Sequence, residues 1–242
     1  MALTPAGEAL YREVKEAFVH LDQGILGAVE IDQNAKNRLV IGYESATTCR
    51  ILPEWIKSIR TTLPEVKLEL LELAEHLVHE KIIEEEIDVG LIYIDKDFLN
   101  SDLLEKKKLG SERVVVAMSK KHPYANKKSI SLNALLKENF VLHKKAEKPF
   151  FYDKFMDLCS QENFVPNVVQ EVETEQALMS LVSKGMGVSV VFECLKETFY
   201  ADTVFLPLKN PQLTVDYGLV RKKNRRDGVF QQLYELAKSL TQ

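Results

Sequence analysis

The chain is constrained most by an alternation between short branched apolar runs and stretches with helical spacing. Arg38-Leu-Val-Ile-Gly-Tyr is such a run, followed by Ser45 and a helical stretch, Thr47 to Thr61, that ends before Leu63-Pro64. Lys67 to Glu72 alternates and predicts a strand, Ala74 to Glu86 a helix, and Ile87 to Ile94 a buried strand. Strands separated by helices cannot close as hairpins, so this β-α-β-α-β order predicts a parallel sheet with right-handed crossovers.

The second half repeats the grammar. Arg113 to Met118 reads as a strand, His122-Pro123 as a turn, Ser131 to Glu138 as a short helix and Phe140 to His143 as a strand. A helix from about Pro149 to Glu162, a strand over Val168 to Glu173, a helix over Thr174 to Lys184 and a strand over Val188 to Phe192 follow. Val215 to Arg221 is a late strand, and Gly228 to Leu240 is an amphipathic helix with Phe230, Leu233, Leu236, Ala237 and Leu240 on one face. Two α/β units in tandem, crossed near Arg113 and again near Val215, predict two lobes with a cleft between them. Ligands of open α/β sheets collect beyond the carboxyl ends of the strands, where helix N-termini present free N–H groups.

Ahead of these units, Thr4 is an N-cap candidate and Pro5 occupies the favoured first helical position. Leu10, Val14, Ala17, Phe18, Leu21 and Ile25 then recur at helical spacing, and Asp32 to Lys36 forms a polar break. The stripe has no neighbour in sequence to cover it. It is expected to pack on a second chain or a distant element, with Leu10, Val14, Phe18 and Leu21 as its centre.

With 45% hydrophobic and 28% charged residues among 242, the chain is of ordinary globular composition. Its formal charge of −4 provides no basic excess to neutralise phosphates, which excludes a self-sufficient nucleic-acid binder. Met1 to Glu8 lacks the basic and apolar regions of an export signal, and no run approaches the ~18 apolar residues of a membrane span. A cytoplasmic protein without membrane contact is expected. Cys49, Cys159 and Cys194 are odd in number and contain no C-x-x-C pair, which predicts reduced, buried thiols.

Several segments resemble LysR-type transcriptional regulators. Leu3-Thr-Pro-Ala-Gly-Glu-Ala-Leu is similar to the junction where the winged helix-turn-helix of that family ends and the dimerising linker helix begins. Leu39-Val-Ile-Gly followed by Leu52-Pro, then Leu63-Pro, Glu69 to Glu72 and Glu85-Glu-Ile-Asp-Val-Gly-Leu-Ile match its sensing part, with Asp88 opening the third strand. Val114-Val-Val-Ala-Met-Ser-Lys-Lys-His-Pro and Ser183-Lys-Gly-Met-Gly-Val-Ser-Val-Val complete the series in the family's order. The resemblance implies two Rossmann-like lobes, as in type 2 periplasmic binding proteins, after a long linker helix. It divides the chain into a linker over 1–36, a first lobe over 38–116 and 216–242, and a second over 117–215. It further implies a homodimer or homotetramer, a small-molecule effector, and promoter DNA contacted through a winged domain ahead of Leu3 that this sequence does not contain.

Candidate effector contacts follow from both readings. Ser45, Ala46, Thr47 and Thr48 lie where the first strand hands over to the first helix, a place suited to a small anion, and the family's inducer contacts fall there. Leu73, Ala74 and Glu75 match a second contact region, although Glu75 puts an acid where a hydroxyl would suit an anion better, and so leaves a zwitterionic effector open. Thr174 is expected to face Ser45 across the cleft. His143 and Lys144, with Lys145, would give positive charge at the rim, and Tyr93 and Phe192 apolar walls.

His76 and His79, with Glu75 and Glu80, read as a polar helix face rather than a metal site, since no third and fourth ligand has recognisable spacing. No metal or cofactor is expected. Gly-x-Ser-x-Gly, a Gly-rich phosphate loop and His-Glu-x-x-His are all lacking, which argues against catalysis. Two alternatives share the lobed fold. One is a solute-binding protein, which would need export; the other is an enzyme with Glu75 as its acid.

Overall fold

The computed structural model describes residues 4–36, 38–44, 51–94, 103–198, 201–209, 212–223 and 229–241. The chain divides into two compact units, Met1–Leu39 with Glu65–Leu68, and Val40–Pro64 with Glu69–Gln242.

The first unit is dominated by α1 (Pro5–Lys36). The Gly7 N–H donates to Thr4 Oγ1 at 3.2 Å, the N-cap bond expected of Thr4. At 32 residues the helix is about 48 Å long and continues through Asp32 to Lys36. Those residues are polar apart from Ala35, and none carries the backbone penalty of Gly or Pro, so polarity alone does not end the helix. Leu10, Val14, Phe18, Leu21 and Ile25 are 42% to 66% exposed.

The remaining elements begin with β1 (Arg38–Tyr43), α2 (Leu52–Thr62), β2 (Lys67–Glu72), α3 (Glu75–Ile83) and β3 (Val89–Ile94). β1 and β3 run parallel, with Ile41 opposite Val89. Asp88 fixes the start of β3: its N–H donates to Val40 O at 2.9 Å, and its Oδ2 accepts from Val40 N–H at 2.6 Å. Val40, Val78, Ile82, Ile87, Ile92, Leu104 and Val220 form the core under these strands.

β4 (Leu104–Ser119) is the long crossing strand. Its first part pairs antiparallel with β9 (Thr214–Lys222), with a register shift between Lys108 and Gly110. Its last part pairs antiparallel with β7 (Ser189–Phe192) and β8 (Thr203–Pro207). β9 also runs antiparallel to β3. The larger sheet is ordered β2-β1-β3-β9-β4-β7: β1 and β3 are parallel, as the β-α-β-α-β order predicts, and the crossing strands β9 and β4 make the whole sheet mixed. Both crossings add strands whose direction opposes their neighbours. Sequence pattern placed the start of β4 near Arg113 because Leu104 to Glu112 is highly charged. That charge is matched across the ladder, where Lys108 meets Asp216 at 2.7 Å and Arg221 meets Glu105 at 2.8 Å.

β5 (Asn139–His143) and β6 (Asn167–Val172) form a parallel pair, attached to the start of β7 through a bridge between Phe140 and Val188. α4 (Pro149–Gln161) and α5 (Glu175–Ser183) accompany them, and the Ser131–Glu138 stretch is a single 3-10 turn, Leu132–Leu135. Val115, Ala117, Val141, Leu178, Met179, Val182, Val191 and Leu195 pack as a second core. The Gly-Met-Gly turn has a steric origin. Gly185 has φ +77°, and a Cβ on Gly187 would lie 2.7 Å from Asn139 O.

α6 (Val229–Ser239) closes the chain with Phe230, Leu233 and Ala237 buried. The fully buried Trp55 of α2 donates its indole N–H to Leu233 O at 2.9 Å.

Candidate functional site

Two clusters gather at the carboxyl ends of β3, β5 and β7. The first is aromatic. Tyr93, near the end of β3, and Phe192, the last residue of β7, stack with ring centroids 3.9 Å apart and planes 9° from parallel. Phe151 of α4 packs 4.8 Å from Phe192, and Tyr217 of β9 meets Tyr93 edge-on at 6.4 Å. Tyr93 and Phe192 are both buried, and their stack forms one apolar seam between the two strand groups. Burial, with Cys194, Glu112 and Glu44 nearby, holds the Tyr93 phenol well above its ordinary range. Glu112 is itself buried and accepts the Cys194 N–H at 3.1 Å.

The second cluster is ionic and lies where β5 ends and α5 begins. Thr174 caps α5, its Oγ1 accepting from Ala177 N–H at 3.2 Å. Glu175 follows as the first helical residue. Its Oε2 accepts from Lys148 Nζ at 2.7 Å and from His143 Nε2–H at 3.1 Å. Burial opposes ionisation of Glu175, but the Lys148 charge and the His143 hydrogen bond outweigh it and hold the carboxyl at about 2. His143 is only 6% exposed, so it is an interior residue and not the rim cation expected. A void of about 10 Å³, enough for one water, lies against His143 among Leu142, Phe151, Tyr152, Phe155 and Val190.

The other expected contacts are placed unevenly. Lys144 is exposed and bound to Glu173 at 2.6 Å, and Lys145 is bound to Asp153 at 2.6 Å. Leu73 and Ala74 are half-buried, with Leu73 N–H donating to Tyr43 O at 3.0 Å. Glu75 opens α3, but its side chain lies outside the described residues, as do Ser45, Ala46, Thr47, Thr48 and Cys49. Sequence reasoning passed over Glu175 and Lys148. The available signal was an acid directly after a threonine N-cap, where the helix dipole favours negative charge.

The Cys159 and Cys194 thiols are both buried, and burial pushes Cys159 up to about 12. A wider depression of about 430 Å³ lies at the other end of α5, lined by exposed Lys120, Lys121 and Lys184 beside Asp202. Among the described residues no group of three or more His, Cys, Asp or Glu is placed to hold a metal ion, and no helix is long and apolar enough to cross a membrane.

The LysR substrate binding domain model matches residues 32–242. HTH-type transcriptional regulator AlsR of Bacillus subtilis is 29% identical over 225 residues, covering 93% of this chain and 74% of that protein. HTH-type transcriptional regulator BenM of Acinetobacter baylyi is 25% identical over 240 residues, covering 98% and 77%. A solved structure of the BenM effector binding domain with its effector benzoate superposes with a TM-score of 0.76 at 24% identity, covering 84% of this chain and 91% of that one. CbnR, a LysR family regulator, superposes with a TM-score of 0.72 at 19% identity, covering 98% and 81%. The fold is thus that of LysR effector-binding domains, two α/β lobes like those of type 2 periplasmic binding proteins. These relatives are HTH-type transcriptional regulators, and the BenM domain is one whose effector is benzoate. The chain belongs to the LysR family of transcriptional regulators, and residues 32–242 are its effector-sensing part.

Proposed function

We propose that this chain senses a small metabolite in a cleft beyond the carboxyl ends of β1, β3, β5 and β7, with lobes over 38–116 with 216–242 and over 117–215. The Tyr93–Phe192 stack carries this reading. It joins the ends of one strand from each group, so a ligand entering there changes the contact by which the groups meet. Leu73, Ala74, Thr174 and residues 45–48 are the further effector contacts of this reading, Glu75 selects on charge, and His143 and Lys144 act through their acids rather than as free cations. The chain does not catalyse a reaction, and its place of action is the cytoplasm.

A ligand shifts an arrangement only through differential affinity for its two states. Here the two states are arrangements of the lobes, relayed through a homodimer or homotetramer in which α1 pairs with α1 of another copy. The exposed stripe of Leu10, Val14, Phe18 and Leu21 supports that pairing. Promoter DNA is bound by a winged domain ahead of α1.

Calorimetry of the chain against a metabolite panel tests the reading. The panel starts from benzoate, the effector in the BenM domain structure, and includes its neutral isostere benzamide. One ligand of the panel should bind, and Ser45→Ala or Thr174→Ala should weaken it. Unchanged affinity in both variants places the effector elsewhere.

A further inference from the structure

The start of α5, the end of β5 and the residue ahead of α4 together make an anion site that the chain fills itself. Lys148 Nζ and His143 Nε2 converge on one oxygen, Glu175 Oε2, at 2.7 and 3.1 Å. The Lys148 and Glu175 side chains are 16% and 15% exposed, and His143 is more deeply buried still. The Nδ1 of His143 is buried with no hydrogen-bond partner among the described residues, so the side-chain hydrogen bond shown for this ring is the one from Nε2 to Glu175. An ammonium and an imidazole drawn together out of water are costly unless an anion lies between them. The nine-residue α5 adds the positive end of its dipole at the same point. Donors of this kind are what a carboxylate arriving from solution would seek.

We infer that Glu175 is an internal carboxylate that closes this corner to foreign anions, so that the part of the effector facing Lys148 and His143 is uncharged. Selectivity on this side of the cleft then rests on shape and on neutral contacts with Phe151, Phe192 and Thr174. Any anionic group of the effector is bound away from α5. The inference takes its meaning for specificity from the cleft reading, but its chemistry does not depend on which effector is natural. Formate and Glu175 would compete for the same donors.

The test uses the whole chain and formate as the probe. Glu175→Ala removes the carboxylate and leaves room for formate. The thermal midpoint of E175A should rise with formate concentration, as expected for a ligand bound only by the folded state, whereas chloride at equal ionic strength has no such effect. The wild type should show no response, and adding Lys148→Met to E175A should abolish it. An E175A chain that folds only with formate gives the same support.

An E175A chain indifferent to formate, or a wild type that responds as strongly, overturns the inference. Glu175→Gln is the second variant, since it keeps the shape and removes the charge. Its folding equilibrium constant should fall about tenfold or more, with recovery on adding Lys148→Met; no fall overturns the inference. Failure of the cleft reading has a different signature, in which no panel ligand binds the wild type while E175A still responds to formate. Failure of the present inference leaves panel binding intact and formate without effect.

Discussion

Tyr93 and Phe192 lie ring over ring, 3.9 Å apart, although one belongs to a strand paired with β1 and β9 and the other to a strand paired with the far end of β4. Both are large buried rings, so Phe192→Ala should cost about 3–5 kcal/mol in urea unfolding. In a double-mutant cycle with Tyr93→Ala, their coupling should be about 0.5–1.5 kcal/mol beyond area burial. Strict additivity would show that the stack does not join the two strand groups.

Glu175 sets a pH dependence whose sign is fixed by its partners. Burial raises its carboxyl, yet Lys148 and His143 bring it down from 4.5 to about 2. A folded value below the unfolded one contributes stability that is complete above about pH 4.5 and is lost as pH falls toward about 2. Urea midpoints measured from pH 5 to pH 3 should therefore drop more steeply for the wild type than for Glu175→Gln. Parallel curves would contradict the assignment.

Gly187 is required by close approach. A Cβ there would lie 2.7 Å from Asn139 O, a backbone atom that cannot swing aside while Val188 N–H donates to it at 2.8 Å. Gly187→Ala should destabilise the chain by about 1–3 kcal/mol, the usual cost of overpacking, with hydrogen exchange accelerated first along β5 and β7. A wild-type melting curve would show that this turn has slack.

The stripe on α1 predicts assembly. Leu10, Phe18 and Leu21 are each more than half exposed on one helix, an arrangement suited to helix pairing. Phe18→Glu with Leu21→Glu should lower the mass found by light scattering to that of one chain and leave the melting of the α/β part unchanged. An unaltered mass would place the oligomer contact elsewhere.

Much of this fold was legible because strands and helices differ in period. Arg38–Tyr43 and the β7 residues carry branched apolar runs that the fold buries, and Lys67–Glu72 shows the polar–apolar alternation of a strand with one face toward solvent. The first half of β4 was hidden because Lys106, Lys107 and Lys108 obscure any alternation, and their strand exists only through its ladder to β9. Thr203–Pro207 was hidden for a similar reason, being five residues that end in proline and depend on β4 for their pairing. At the site, residue types pointed to Tyr93, Phe192, His143 and Thr174 singly. Local pattern contained no sign that the first two stack, or that Glu175 binds His143 and Lys148, since those pairings join distant elements.

The central claim is that a small effector is sensed where the ends of β3 and β7 meet. A crystal structure of the chain with the tightest-binding ligand of the calorimetric panel tests it most directly. Ligand density is expected beyond those strand ends, in contact with Tyr93 or Phe192 and with no anionic group on Lys148 or His143. Density at any other place on the chain would contradict it.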